Sequence, residues 1–485
     1  MTGSSTPGAG SRETIKRLLP WLVAVAFFME SLDTTILNTA VPAIAAALQV
    51  APLSMKAVMS SYTLSVAVFV PISGWLADRY GTRKVFSMAI AVFTFGSMLC
   101  GISSDIHMLV ACRVLQGLGG AMMVPVGRLT MVRTFPRSEL VRAMSFVAIP
   151  SLIGPMLGPV VGGFIVHYLN WRAIFFVNLP IGLIGLYLVY RHLPDYRVER
   201  SDPLDWVGLV LFSSGVALLS YVLEVFGEHT LGGREILGLL GISLALLAGY
   251  GRHAATTKRS LLQLALFRIR TFRVSVSGSF VTRLGAAGGV PFLLPLLYQV
   301  GLSYTPVQAA LPIVPQPLAA MSLKMTVPHI LEYFGYRRVL LWNTVFMGVL
   351  ITLFATIGPD TPVWLILLQA FLFGFCSSLQ YSSMNTLVYA DVKDSDASMA
   401  STMSSTMQQM SLSFGVAVAS LAAALFIPDH ASSAPSQMIH GIHLAFIALG
   451  SLTIFSALVF SELRNDDGAD VSHRKKIVPA GQLGA

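Results

Sequence analysis

The feature that most constrains this chain is a recurrence. Fourteen strongly apolar runs follow one another with only short polar connectors between them. They fall at 20–42, 54–77, 85–103, 107–131, 141–167, 171–191, 204–226, 235–252, 270–300, 304–331, 337–357, 361–389, 396–427 and 438–461. A hydrocarbon layer of roughly 30 Å needs about 20 helical residues to cross. Lipid offers the backbone no hydrogen-bond partners, so a lone run of this length must close its own bonds as a helix. The expected fold class is therefore all-α and integral to the membrane. Composition agrees: 54% of the 485 residues are hydrophobic and only 11% are charged, far from the mean of water-soluble domains.

The formal net charge of +9 raises the question of a nucleic-acid surface, and the placement of the basic residues answers it. With the N-terminus on the cytoplasmic side, alternate connectors and the two tails hold 25 of the 32 lysines and arginines, among them Arg79, Arg83, Lys84, Arg133, Arg268, Arg273, Arg337 and Arg338. The opposite connectors hold only Lys56, Arg172 and Arg234. This asymmetry predicts that both termini are cytoplasmic and removes nucleic acid from the expected partners. The first eleven residues lack the apolar core and cleavage site of a signal peptide, so the first run is expected to be retained. The tails 1–19 and 462–485 read as disordered. Cys100, Cys112 and Cys376 lie inside apolar runs, where small core residues are the expectation and no disulfide is implied.

A loop signature occurs twice. After the second run it reads Asp78-Arg79-Tyr80-Gly81-Thr82-Arg83-Lys84, and after the tenth Glu332-Tyr333-Phe334-Gly335-Tyr336-Arg337-Arg338. An acid, an aromatic two residues later, a glycine and a pair of bases keep the same spacing. The repeat predicts two six-helix bundles, 20–191 and 270–461, joined by a linker at 192–269 that holds two additional helices. Repeated halves with a substrate site near the membrane midplane are the usual construction of secondary transporters.

Four motifs carry a family resemblance over essentially the whole chain. The loop from Gly74 through Asp78 and Gly81 to Lys84 resembles the signature of the major facilitator superfamily between helices 2 and 3. Leu32 to Pro42, with Asp33 and Asn38, resembles the helix-1 motif of its fourteen-helix drug:proton antiporter branch. Arg113 to Gly120 resembles the helix-4 motif, and Gly154 to Gly163 the helix-5 motif of antiporters. The segment Gln380 to Leu387, with Gln408 and Gln409, is similar to one bacterial multidrug-efflux subgroup. The resemblance implies a proton-coupled antiporter of the bacterial inner membrane that exports drugs or other amphipathic small molecules by alternating access. It implies no cofactor, the proton gradient being the energy source. Substrate, protons and the lipid bilayer are the expected partners, with a periplasmic adaptor and an outer-membrane channel as further candidates.

Ionisable residues inside a membrane run are costly and mark function. Glu30 and Asp33 lie three apart on one face of the first helix. Asp33 sits about 20 Å from Pro20 along the axis, a depth that Arg113 reaches from the other side. An Asp33–Arg113 pair would tie the acid's proton affinity to conformation, and the resemblance assigns the matching acid and arginine to proton coupling. Glu30 reads as an auxiliary proton or cation site. Arg283, Lys324, Asn38, Gln116, Gln299, Gln380, Asn385 and Gln408 are the candidate polar lining of a substrate cavity. Gly74, Asp78, Arg79, Gly81, Arg83 and Lys84, with Glu332 and Arg337 in the second copy, read as a conformational latch. The second copy has Glu332 for Asp78 and no base directly after it, so a differently latched C-terminal half is expected. In the fifth helix, Gly154, Gly158 and Gly162 clear one stripe for close helix approach, and Pro155 and Pro159 bend the same helix.

The chain contains no phosphate-binding loop, metal-ligand cluster or nucleophile elbow, so ATP-driven pumping has no support and no metal is expected. A dedicated exporter of one metabolite or siderophore is the alternative within the same fold. An intramembrane enzyme or receptor is the remote one, since the histidines are scattered among connectors and helix ends.

Overall fold

The structure is a computed structural model and describes residues 9–135, 137–197, 203–226, 232–257, 260–323, 326–393, 396–427 and 435–469. The candidate Lys324 and the tail segments 1–8 and 470–485 lie outside the described residues. Every regular element among the described residues is helical. In chain order we name α1 (Ala9–Ala47), α2 (Lys56–Tyr80), α3 (Thr82–Gly101), α4 (Ile106–Thr134), α5 (Arg137–Tyr168), α6 (Asn178–His192), α7 (Trp206–Phe226) and α8 (Gly233–Thr256). There follow α9 (Arg270–Gly301), a broken α10, α11 (Tyr336–Leu353), α12 (Val363–Leu387), α13 (Ala397–Phe426) and α14 (Pro435–Phe460).

Among the described residues, twelve of these are apolar and long enough to cross a membrane; α5 is a continuous helix of 32 residues, and α10 is broken. The single run expected at 304–331 is delivered as α10 in pieces: Pro306–Ala310, a tight turn at Leu311–Ile313 and Pro315–Leu323, with Val327–Phe334 on the other side of the undescribed residues 324 and 325. Pro306, Pro312, Pro315, Pro317 and Pro328 explain the breaks, because each removes a backbone donor and crowds the preceding turn. Two differences concern the tails. α1 begins at Ala9, because the good helix formers Arg12, Glu13, Lys16, Arg17, Leu18 and Leu19 continue the helix ahead of Pro20. At the other end, Leu463 and Ala469 are buried, so the chain is held down beyond α14.

The chain divides into two compact units. The first comprises residues 1–205 with 305–310, the second 206–304 with 311–485. Within the first unit, α1 packs along α5, and α4 packs on both α2 and α3. Glycines set these distances. A Cβ on Gly154 would lie 2.8 Å from the Ser31 side chain, one on Gly162 would lie 2.6 Å from the Ile36 carbonyl oxygen, and Gly158 faces Thr35 as closely. The hydroxyl of Thr35 reaches across to the Gly154 carbonyl at 3.3 Å. On α4, Gly119 abuts Phe93 of α3, and Gly117 approaches the Tyr62 carbonyl of α2. Asp105 caps α4 by accepting from the Met108 N–H at 2.9 Å, and this bond holds its carboxyl below the usual carboxylate range.

In the second unit, α11 packs on α14, and α7 packs on both α8 and α13. The Ser243 hydroxyl of α8 donates to the Gly215 carbonyl of α7 at 2.9 Å. α9 is irregular: it turns π-helical at Leu284–Gly289 and again at Leu297–Gly301. In the first of these stretches, Gly288 lies against Gly415 of α13, an approach that side chains would block.

Candidate functional site

Two of the charged residues buried in the first unit meet at one point. Asp33 of α1 and Arg113 of α4 are both almost fully buried, and their Oδ2 and Nη1 atoms are 2.6 Å apart. The other carboxylate oxygen of Asp33 accepts from Gln116 Nε2 at 2.8 Å and from Asn178 Nδ2 at 2.8 Å. The network continues outward. Arg113 Nη1 also donates to Gln116 Oε1 at 2.8 Å, Asn178 Nδ2 to Ser97 Oγ at 3.0 Å, and Ser97 Oγ to the Phe175 carbonyl at 2.8 Å. Tyr62 of α2 covers the guanidinium face, with the Arg113 carbon 4.4 Å from the ring centroid. Five helices of one bundle therefore converge on one carboxylate.

The local sequence explains the convergence. Asp33 and Gln116 both sit at stretches where glycine has cleared the way: Gly154 lies against Ser31 and the Leu32 backbone, and Gly96 of α3 lies against the Gln116 backbone. A buried ion pair is stable only when its remaining lone pairs and protons find partners. Here the carboxylate receives three donors, each suited to its ionised form. Protonation would introduce an O–H aimed at donors, so at least one of these contacts must then rearrange.

Glu30, one turn earlier on α1, stays out of this network. Its Oε2 is buried without a hydrogen-bond partner among the described residues, and its backbone carbonyl accepts from the Thr34 hydroxyl at 2.7 Å. Asn38 is half-buried, further along the same helix.

The candidate cavity residues of the second unit divide into two kinds. Gln380 is fully buried, accepting from Asn343 at 2.9 Å and donating to Thr344 at 2.6 Å, so its amide is spent joining α12 to α11. Gln408 donates to Ser404 and, at 3.1 Å, to Asn385, which is exposed. Gln299 is half-buried in the second π-helical stretch of α9. Arg283 is buried with its guanidinium stacked 4.0 Å above the Tyr381 ring.

The two signature loops fold alike. Gly81 and Gly335 adopt φ of 95° and 77°, a region open to glycine at no steric cost. Each glycine N–H closes the preceding helix, Gly81 onto the Ala77 carbonyl and Gly335 onto Leu331, and each carbonyl starts the next, accepting from Val85 and Val339. Their side chains differ. Asp78 pairs with Arg133 of α4 at 2.6 Å, while the exposed Glu332 has no ion pair among the described residues. Arg79, Arg83 and Lys84 are exposed, as is Gly74 at the helix surface. The backbone N–H of Arg83 donates to Asp195 at 3.0 Å. The second loop is held instead by the segment after α14: Gly468 lies against Tyr336, Arg337 donates to Asn465, and Arg270 at the start of α9 pairs with Asp467.

Residues 23–416 match the sequence model of the Major Facilitator Superfamily. The chain belongs to this superfamily. Its members among curated proteins include one from Escherichia coli O6:K15:H31 (strain 536 / UPEC), provisionally designated multidrug resistance protein MdtD, which is 39% identical over 460 residues, covering 94% of this chain and 97% of that protein. A relative from Klebsiella pneumoniae (strain 342) with the same designation is 40% identical over 459 residues, covering 94% and 96%. Among solved structures, a POT family transporter in complex with a thioalcohol-conjugated peptide superposes with a TM-score of 0.69 at 15% identity, covering 91% of this chain and 95% of that one. A D-xylose-proton symporter gives 0.67 at 13% identity, covering 93% and 99%. These structures share the major facilitator fold. The major facilitator chain described here is thus a multi-pass membrane transporter of small molecules and not an enzyme.

Asn178, Tyr62 and Ser97 were not legible as site residues. The one available signal was an amide inside the apolar stretch Phe175-Phe176-Val177-Asn178-Leu179, and spacing within α6 says nothing of its nearness to α1.

Proposed function

We propose that this transporter is a proton-coupled antiporter of the bacterial inner membrane that exports drugs or other amphipathic small molecules by alternating access, with both termini cytoplasmic. The observation that carries the reading is the Asp33 carboxylate, buried in the first unit and held by Arg113, Gln116 and Asn178. A proton arriving on Asp33 removes the charge that balances Arg113. An unbalanced buried guanidinium is costly, so the helices that carry these groups are favoured in a different arrangement. That linkage between proton occupancy and helix packing is what coupling requires. The designation of the curated relatives supports drugs as the substrate class.

In this reading Glu30 is an auxiliary protonation site, and the Gly81 and Gly335 loops latch the cytoplasmic ends. The glycine stripe of α5 lets α1 and α5 move as closely packed neighbours. Asn38, Gln299, Asn385, Gln408 and Arg283 face substrate, with Lys324 as a further base, while Gln116 and Gln380 order the helices around it. Passage onward through a periplasmic adaptor and outer-membrane channel would be a separate step.

The test is Asp33→Asn in proteoliposomes with an imposed pH gradient and a fluorescent amphipathic dye. Gradient-driven dye movement is expected to fall to the level of protein-free liposomes while dye binding persists. Undiminished gradient-driven export by the variant would remove Asp33 from the coupling step.

A further inference from the structure

We propose that Arg283 is an anion-recognition site, so that this transporter prefers amphipathic organic anions, such as sulfonates and carboxylates, over uncharged molecules of the same shape. The inference rests on the reading of the chain as a carrier of amphipathic molecules and names the substrate class.

The two units treat their buried arginines differently. In the first, the charge of Arg113 is met by Asp33. In the second, every Asp and Glu between residues 270 and 460 falls in a connector or, at Glu332, in the last turn of α10, while on the extra pair Glu235 opens α8 and Glu224 lies about 27 Å along α7 from Trp206, nearer the far end of that helix. Arg283 lies thirteen residues into α9, about 20 Å along the helix axis from Arg270. No acid is available to it at that depth on the helices of its own bundle.

The contacts Arg283 does make leave its charge unanswered. Its Nε donates to Ser279 Oγ at 2.9 Å, and its guanidinium carbon lies over the Tyr381 ring. Among the described residues, no ion pair joins it. Stacking a guanidinium on a ring fixes the plane and directs the edge with the two terminal amino groups sideways, as a fork that matches the two oxygens of an oxyanion. The backbone beneath is closely packed. Arg283 is the last residue before the π-helical stretch, in which Gly285 and Gly288 press against Thr453 of α14 and Gly415 of α13. A buried cation over a ring, with no ion pair among the described residues and no acid at its depth in its bundle, is suited to an anionic group brought by the substrate.

Equilibrium dialysis of the purified full-length carrier in nanodiscs tests this with naphthalene-2-sulfonate and its uncharged counterpart naphthalene-2-sulfonamide. The wild-type protein is expected to bind the sulfonate at least tenfold more tightly, the scale of a charge-assisted pair. Arg283→Gln should erase that preference, so that the two probes bind within about twofold of each other once the charge-assisted contact is lost, and Arg283→Lys should retain part of it. Equal affinity of the wild-type protein for both probes, or no binding of the sulfonate, overturns the proposal without any variant having to fold. Loss of both ligands in Arg283→Gln together with a lower melting temperature would assign Arg283 to packing and also overturn it. Failure of the antiporter reading would show separately, as absent gradient-driven dye transport in proteoliposomes, whatever the dialysis gives.

Discussion

At the scale of single residues, the site in the first unit is a carboxylate with more donors than its ion pair alone provides. Asn178 is the clearest case, because its amide touches both Asp33 and Ser97. Asn178→Leu removes a hydrogen bond to a buried charge, which costs about 1.5–3 kcal/mol. The variant should melt several degrees below the wild-type protein in detergent and show slowed gradient-driven export. Asn178→Asp should be worse, since it sets a second carboxylate 2.8 Å from the first. Unchanged melting of Asn178→Leu would mean that Arg113 and Gln116 hold Asp33 without this donor. Asp33 and Arg113 were legible in the sequence because charges inside apolar runs are rare and conspicuous. Asn178 and Gln380 were not, because a neutral amide in a membrane helix reads the same whether it orders a charge, joins two helices or meets a ligand.

At the scale of elements, the positions of the helices follow directly from apolar length, whereas their irregularities follow from contacts. The proline breaks of α10 were visible as residues, but apolarity alone ran through them. The π-helical turns of α9 leave composition unchanged, so only the packing of Gly285, Gly288 and Gly289 against α13 and α14 reveals why the backbone widens there. The α5 stripe is the opposite case: the four-residue glycine spacing was in the sequence, and the structure supplies its partner, α1. Gly158→Leu places a branched side chain where Thr35 already stands. Overpacking of this kind forces side-chain and backbone shifts. Dye export should fall below detection while the protein still inserts and is recovered from membranes at near wild-type yield. Full activity of Gly158→Leu would show that α1 and α5 need not stay in contact during transport.

At the scale of the whole molecule, the two signature loops constrain topology. They share a positive-φ glycine, the same closing hydrogen bonds and adjacent bases, so both are expected on the same face of the membrane. Eight helices, α3 to α10, separate them. An even number of crossings returns the chain to the same side only if α7 and α8 both cross or neither does. The lengths and apolarity of Trp206–Leu223 and Gly233–Thr256 favour two crossings, and the basic connectors on either side of the pair favour the cytoplasm for both flanks. Fusions to green fluorescent protein and to alkaline phosphatase after Gly232, Gly358 and the C-terminal Ala485 separate the possibilities. The first two are expected to give active phosphatase and dark fluorescent protein, the third the reverse. Fluorescence after Gly232 with phosphatase activity after Gly358 would place the extra pair on the cytoplasmic surface, leaving a twelve-crossing carrier with the same two bundles. Phosphatase activity at Ala485 would invert the second bundle and break the equivalence of the two loops.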